Sequence, residues 1–114
     1  MLADNVFLKI IDKTIPARIV HEDEHCLAFH DVAPKAPVHV LIIPRKVIRT
    51  HDDVTDDDAG LLGHMHVVAR RVAAALGLGD GYRLVINCKE RAGQTVPHLH
   101  MHLLGGRDLG WPPG

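Results

Sequence analysis

The chain has 114 residues, 46% hydrophobic and 24% charged, which is the make-up of one globular domain rather than two. A domain of this size buries roughly 60 to 70% of the surface its unfolded chain exposes, enough for one core without disulfides or metals. Thirteen Lys and Arg against fourteen Asp and Glu leave a formal charge of -1, which supplies no electrostatic footprint for nucleic acid and excludes a general DNA- or RNA-binding role.

In chain order, Val6, Phe7, Ile10 and Ile11 share one face of a short helix ending near Thr14, before Pro16. Asp4, Lys9 and Asp12 break any apolar leader there. Three short strands are predicted at residues 17–20, 26–30 and 38–43, the last bracketed by Pro37 and Pro44. Thr55 with Asp56, Asp57 and Asp58 offers a helix start. Leu61, Met65, Val68, Val72 and Leu76 then recur every three or four residues until Gly77 and Gly79 stop the helix. Residues 82–87 and 98–104 add two strands. Short strands with turns too brief for helical crossovers predict an α+β domain with an antiparallel sheet of about five strands and two helices. No run approaches the roughly 18 to 20 apolar residues of a membrane span. Cys26 and Cys88 form neither a disulfide framework nor a close metal pair, so a cytoplasmic location is expected.

Histidine is the unusual residue, at ten positions, three of them in His98-Leu99-His100-Met101-His102-Leu103. Strict alternation on a strand puts the three imidazoles on one face and Leu99, Met101 and Leu103 on the other. Such a face can bind a metal, although catalytic zinc sites usually draw a ligand from elsewhere. It equally suits attack on phosphorus, one imidazole acting as nucleophile while its neighbours neutralise phosphate oxygens. Gly93, Gln94 and Thr95, just upstream, together with Asn87, offer backbone, amide and hydroxyl groups for that use. His64 and His66 lie at i and i+2 on the long helix and cannot share a ligand, so they are expected to be structural or solvated. Cys26 and Cys88 are expected to be small filler or incidental thiols.

The stretch from Asn87 through Gly93-Gln94-Thr95-Val96-Pro97 to His98-Leu99-His100-Met101-His102-Leu103-Leu104 resembles the signature of the histidine triad superfamily. FLKIIDKTIP from Phe7, CLAFHDVAPKAP from Cys26, LLGH from Leu61 and the ending Trp111-Pro112-Pro113-Gly114 are similar to its histidine triad nucleotide-binding (HINT) branch. The resemblance spans nearly the whole chain. It implies one HIT domain over residues 1–114 with a tail at 105–114, and a sheet continuous across a homodimer. It also implies a purine nucleoside phosphoramidase that cleaves the P–N bond of adenosine 5'-monophosphoramidate and of AMP–amine conjugates, with no cofactor. Rival readings are a nucleotide-binding regulatory module acting through a protein partner, and a dinucleoside polyphosphate hydrolase.

Carried over residue by residue, the resemblance makes His100 the nucleophile of a covalent nucleotidyl-histidine intermediate. It gives His102 the phosphate oxygens, and makes His98, with His39 near it, the pair that orients and passes the proton. Asp31 accepts the ribose hydroxyls, and Val32, Phe29, Ile10 and Ile15 form the slot for the base. Asn87, Gly93, Gln94 and Thr95 hold phosphate and leaving group, with Met101 part of the nucleotide site. Trp111 lies on the leaving-group side. Thr95 stands where many relatives carry serine, and Val32 where isoleucine is common. The histidines and backbone N–H groups suffice for a phosphoramidate carrying about one negative charge, so no metal is expected.

Overall fold

In the computed structural model, which describes residues 4–114, the first element is a helix set by its cap. The first three residues of the domain expected over 1–114 lie outside the described residues. The Asn5 side chain accepts the N–H groups of Phe7 and Leu8 at 3.1 and 3.2 Å, and α1 runs Val6–Ile11. It stops short of the expected Thr14 because Lys13 takes a left-handed backbone, φ 62°.

Five strands form one sheet, β1 (Ile19–Glu22), β2 (Cys26–His30), β3 (Val38–Pro44), β4 (Tyr82–Val85) and β5 (Met101–Gly105), in the order β1-β2-β3-β5-β4 with every pairing antiparallel. β1 sits two residues later than predicted. Asp23 Oδ1 accepts the N–H groups of His25 and Cys26, so the turn forms at Asp23 and draws His21 and Glu22 into the ladder. β5 begins at Met101, not at residue 98. Before it, the Leu99 N–H donates to the Ile48 carbonyl and the His98 ring takes the Pro44 carbonyl, so this stretch leaves the ladder.

Alternation on β2 and β3 divides the core in two. Cys26, Ala28, Val40 and Ile42, with Met101 and Leu103, face α2 (Ala59–Ala75) and its Met65, Val68, Ala69 and Val72. Leu27, Phe29, Leu41 and Ile43 face Phe7 and Ile10 of α1. Both faces are covered, so these strands read as near-continuous apolar runs. α2 follows a single 3-10 turn at Asp56–Asp58, where Asp58 accepts the Thr55 N–H at 3.0 Å, as the acidic run predicts. Gly106 ends β5 with φ 91°, and a Cβ there would meet Pro37 at 2.9 Å. Among the described residues no helix is long and apolar enough to cross a membrane.

The two faces are not equally covered. At six residues, α1 shields the β1–β2–β3 side and leaves open the part where β3, β5 and β4 meet. Register puts His39 opposite Leu104, Leu41 opposite His102, and His102 opposite Val85, all on the α1 side of the sheet. That uncovered floor is the candidate site.

Candidate active site

A cavity of about 500 Å³ stands on this floor, within the usual size for a small-ligand pocket. Asp31, His39, Asn87, Thr95, His100 and His102 line it, with Phe7, Leu41, Val85, Val96 and Leu104 as apolar walls and Lys35 at the edge. A second hollow of about 460 Å³, bounded by Leu78, Asp80, Tyr82, Arg83 and Arg107 among others, contains no histidine.

His100 is 7% exposed and its Nδ1 lies 2.7 Å from the His98 carbonyl oxygen. A carbonyl can only accept, so Nδ1 carries the proton and Nε2 holds the lone pair. Phe7 packs edge-on against the ring at 5.0 Å between centroids and fixes its plane. On the other side, His39 Nδ1 accepts the Lys35 backbone N–H at 3.0 Å. A backbone N–H can only donate, so neutral His39 carries its proton on Nε2 and donates it to His102 Nδ1 at 2.8 Å. His102 must then carry its own proton on Nε2. Two imidazoles 5.0 Å apart thus have opposite polarity, His100 with a lone pair and His102 with an N–H.

Burial keeps these rings neutral. It is the main cause that pushes His102 down to about 4, assisted by His100 and His39, and it lowers His100 and His39 as well, against the pull of Asp31. Asp31 closes a turn through Oδ1, which accepts the Ala33 N–H at 2.8 Å, while Oδ2 lies 3.5 Å from His39 Nε2. Both the turn role and an open carboxylate oxygen therefore coexist at this residue. One ligand atom from each of Asp31, His39 and His102 lies within 4.8 Å of the others, so this trio could also hold a cation.

Several expected site residues lie elsewhere. His98 is fully buried, its Nε2–H donating to the Pro44 carbonyl at 2.8 Å and its Nδ1 accepting from Asn5 Nδ2 at 2.9 Å, so both ring nitrogens are engaged away from the cavity. His39 pairs with His102, not with His98. Gln94 is buried and ties its loop together, accepting the Lys89 N–H and donating to the carbonyls of Arg49 and Val96. Gly93 sits at the end of a 3-10 turn with φ 96° and does not line the cavity. The Met101 side chain belongs to the α2 side of the core. Ile10 and Phe29 are buried beneath α1 with Ile15 packed against them, and Val32 is 98% exposed. The apolar wall is made instead by Phe7, Leu41, Val85, Val96 and Leu104. Phe7 was legible as a helix-face residue, but nothing in the spacing reveals that it meets His100. Nothing in the sequence pattern marked Asn5 or Lys35 for these contacts, which the fold alone brings to His98 and His39.

The tail leaves β5 along the edge of the sheet. Arg83 donates from Nη2 to the carbonyl oxygens of Gly110 at 2.6 Å and Leu109 at 3.4 Å, and Arg107 reaches the Lys35 carbonyl at 3.1 Å. Trp111 is 84% exposed. The tail is held by its backbone while its indole stands largely in solvent.

The HIT domain model matches residues 12–109. An uncharacterized HIT-like protein of Synechocystis sp. is 56% identical over 114 residues, the whole of both chains. Among solved structures, a HIT family hydrolase from Legionella pneumophila superposes with a TM-score of 0.95 at 51% identity, covering 97% of this chain and 100% of its own. A HIT family hydrolase from Clostridium thermocellum gives 0.91 at 48% identity, with 96% of each chain covered.

Proposed function

This chain belongs to the HIT domain family, and from that membership we propose that it is a hydrolase of purine nucleoside phosphoramidates, the HINT-branch activity. The observation that carries the reading is the opposed polarity of His100 and His102 on the cavity floor. A lone pair beside an N–H is what attack on an anionic phosphorus centre requires: the first forms the new bond and the second stabilises charge on a phosphate oxygen.

In the first half-reaction the His100 Nε2 lone pair attacks phosphorus, forming one P–N bond as the bond to the amine breaks. The amine leaves with a proton drawn from solvent, while neutral His102 keeps its Nε2 proton and donates it as a hydrogen bond to a phosphate oxygen. In the second, a water oxygen attacks phosphorus as the bond to His100 Nε2 breaks, the water's proton passes to solvent, and AMP and free His100 are released. Asn87, Thr95, Asp31, Phe7, Leu41 and Val96 line the cavity; in this reading Asn87 and Thr95 bind phosphate oxygens, Asp31 accepts from the ribose, and Phe7, Leu41 and Val96 wall the base. His98 acts through its carbonyl, which fixes the His100 tautomer, and not through its ring. We further propose a homodimer in which the exposed Trp111 reaches the partner's leaving-group side, where an aromatic plate suits an alkylamine. The unpaired Cys26 and Cys88 suit a reducing cytoplasm.

The test is His100→Ala. AMP binding by calorimetry should persist while turnover of an AMP–amine falls by several orders of magnitude. Ordinary turnover in that variant would remove His100 from the chemistry.

A further inference from the structure

On the opposite face of the sheet from the cavity, four side chains with metal-binding chemistry meet without a role in the reaction above. They are His21 of β1, Asp23 of the following turn, Cys26 at the start of β2 and His64 of α2. We propose that they form a binding site for a divalent transition metal of the zinc class, with His21 Nε2, Asp23 Oδ2, Cys26 Sγ and His64 Nε2 as ligands. The site stands independently of the proposed reaction.

Asp23 Oδ2 is the hub. It lies 2.6 Å from His21 Nε2, 2.7 Å from His64 Nε2 and 3.7 Å from Cys26 Sγ. All four ligand atoms fall within 4.8 Å of one another. Tetrahedral zinc, with bonds of about 2.0 to 2.3 Å, spaces its ligands roughly 3.3 to 3.6 Å apart. The sulfur is close to that spacing already, and the imidazoles need move outward by well under 1 Å. Two imidazoles, a carboxylate and a thiol form a borderline-soft donor set suited to zinc or cobalt rather than to magnesium or calcium.

The surroundings hold the ligands in place. Asp23 Oδ1 accepts the N–H groups of His25 and Cys26 at 2.7 and 2.9 Å, and Arg45 Nε donates to the Asp23 carbonyl at 2.7 Å, so the carboxylate is locked with Oδ2 toward the imidazoles. The His25 ring packs edge-on against His64 at 5.6 Å. Backbone irregularity supplies the last ligand. Ile19 pairs with Phe29 on the α1 side, whereas His21 pairs with Ala28 on the α2 side, because a bulge lies between them. A regular strand would put both residues on the same face and aim His21 away from His64. The side chains of His21, Asp23 and His64 are 25%, 26% and 32% exposed, which gives an ion a way in. On binding, the Cys26 thiol releases its proton to solvent, and each imidazole, whose Nε2–H donates to Asp23 without the ion, shifts to the tautomer protonated on Nδ1 so that Nε2 can ligate.

Without an ion, the cluster is a hydrogen-bonded brace between helix and sheet, and the experiment separates the two. The chain is stripped with EDTA, dialysed, and titrated with Co²⁺ alone and then Zn²⁺ alone. One equivalent of Co²⁺ should give the near-ultraviolet thiolate-to-metal band and strong visible bands of a tetrahedral site, all erased by Zn²⁺. His64→Gln and His21→Gln, both at partly exposed positions, should each weaken binding by at least about 100-fold, more than the roughly 10- to 100-fold that losing an outer-shell partner costs. Cys26→Ala should remove the thiolate band; because Cys26 is fully buried, the two histidine variants carry the test if that variant does not fold. His102→Gln should leave the titration unchanged. No cobalt spectrum in the parent chain, a spectrum without the thiolate band, or binding that survives His64→Gln and vanishes in His102→Gln would each overturn the site.

Discussion

Replacing His98 by alanine separates a brace from a proton carrier. Its ring is fully buried, donates to the Pro44 carbonyl and accepts from Asn5. Removing it strands the Pro44 carbonyl, a loss of about 1 to 3 kcal/mol for a buried polar group. It also empties a ring-sized space, and aromatic truncations in cores cost about 3 to 5 kcal/mol. Asn5 is half-buried and can turn to water, so it adds little. The two losses overlap, giving about 3 to 5 kcal/mol in all. At roughly 4 °C per kcal/mol for a chain of this size, the unfolding midpoint should fall by about 12 to 20 °C. The carbonyl that accepts from His100 Nδ1 belongs to the backbone and survives the substitution. Measured well below the lowered midpoint, kcat should therefore fall by no more than about tenfold, or 1.4 kcal/mol. Calorimetric unfolding and steady-state turnover on one AMP–amine read both quantities. An unchanged midpoint with a loss of turnover matching His100→Ala would put the ring in the proton path and refute this reasoning.

Burial lowers His98 and His100 and takes His102 from 6.5 to about 4, so the unfolded chain binds protons that the folded chain refuses. The stability linked to these rings should be complete above about pH 6.5 and drain away as pH falls toward 4; a urea midpoint that rises on acidification from 7 to 5 would contradict it. Turnover of an AMP–amine should persist in excess EDTA after dialysis, and loss of activity that zinc alone restores would move the Asp31, His39 and His102 trio into a metal role. Truncation after Gly106 should change the kcat/KM ranking among amine leaving groups more than it changes the Kd for AMP, and an unchanged ranking would reduce Trp111 to a bystander.

Periodicity located what depends on local pattern. Residues 26–30 form β2 as predicted, and the Leu61, Met65, Val68 and Val72 repeat marks the long helix. Alternation at residues 98–102 was right that all three imidazoles lie on the α1 side, His98 against Asn5 and Phe7, but it could not show that the Pro44 carbonyl and Asn5 take both nitrogens of the first ring. Ile10, Phe29 and Gln94 were drawn into the site by resemblance, whereas packing under α1 and the tie to Arg49 put them in the interior. The meeting of His64 with Asp23 spans 41 positions and depends on a bulge in β1, neither of which spacing can disclose. His64 and His66 cannot share a ligand, as expected, but His64 finds its neighbours on other elements.

The polarity of the two site imidazoles originates in main-chain groups, the Lys35 N–H at one end and the His98 carbonyl at the other. Every residue type has a carbonyl, and every type except proline has an N–H. Side chains at 35 and 98 can therefore drift without inverting which ring presents an N–H and which a lone pair. Proline at 35 alone would erase the first instruction. The directionality of this site is written into the path of the chain, and it is inherited with the fold even where the neighbouring side chains change.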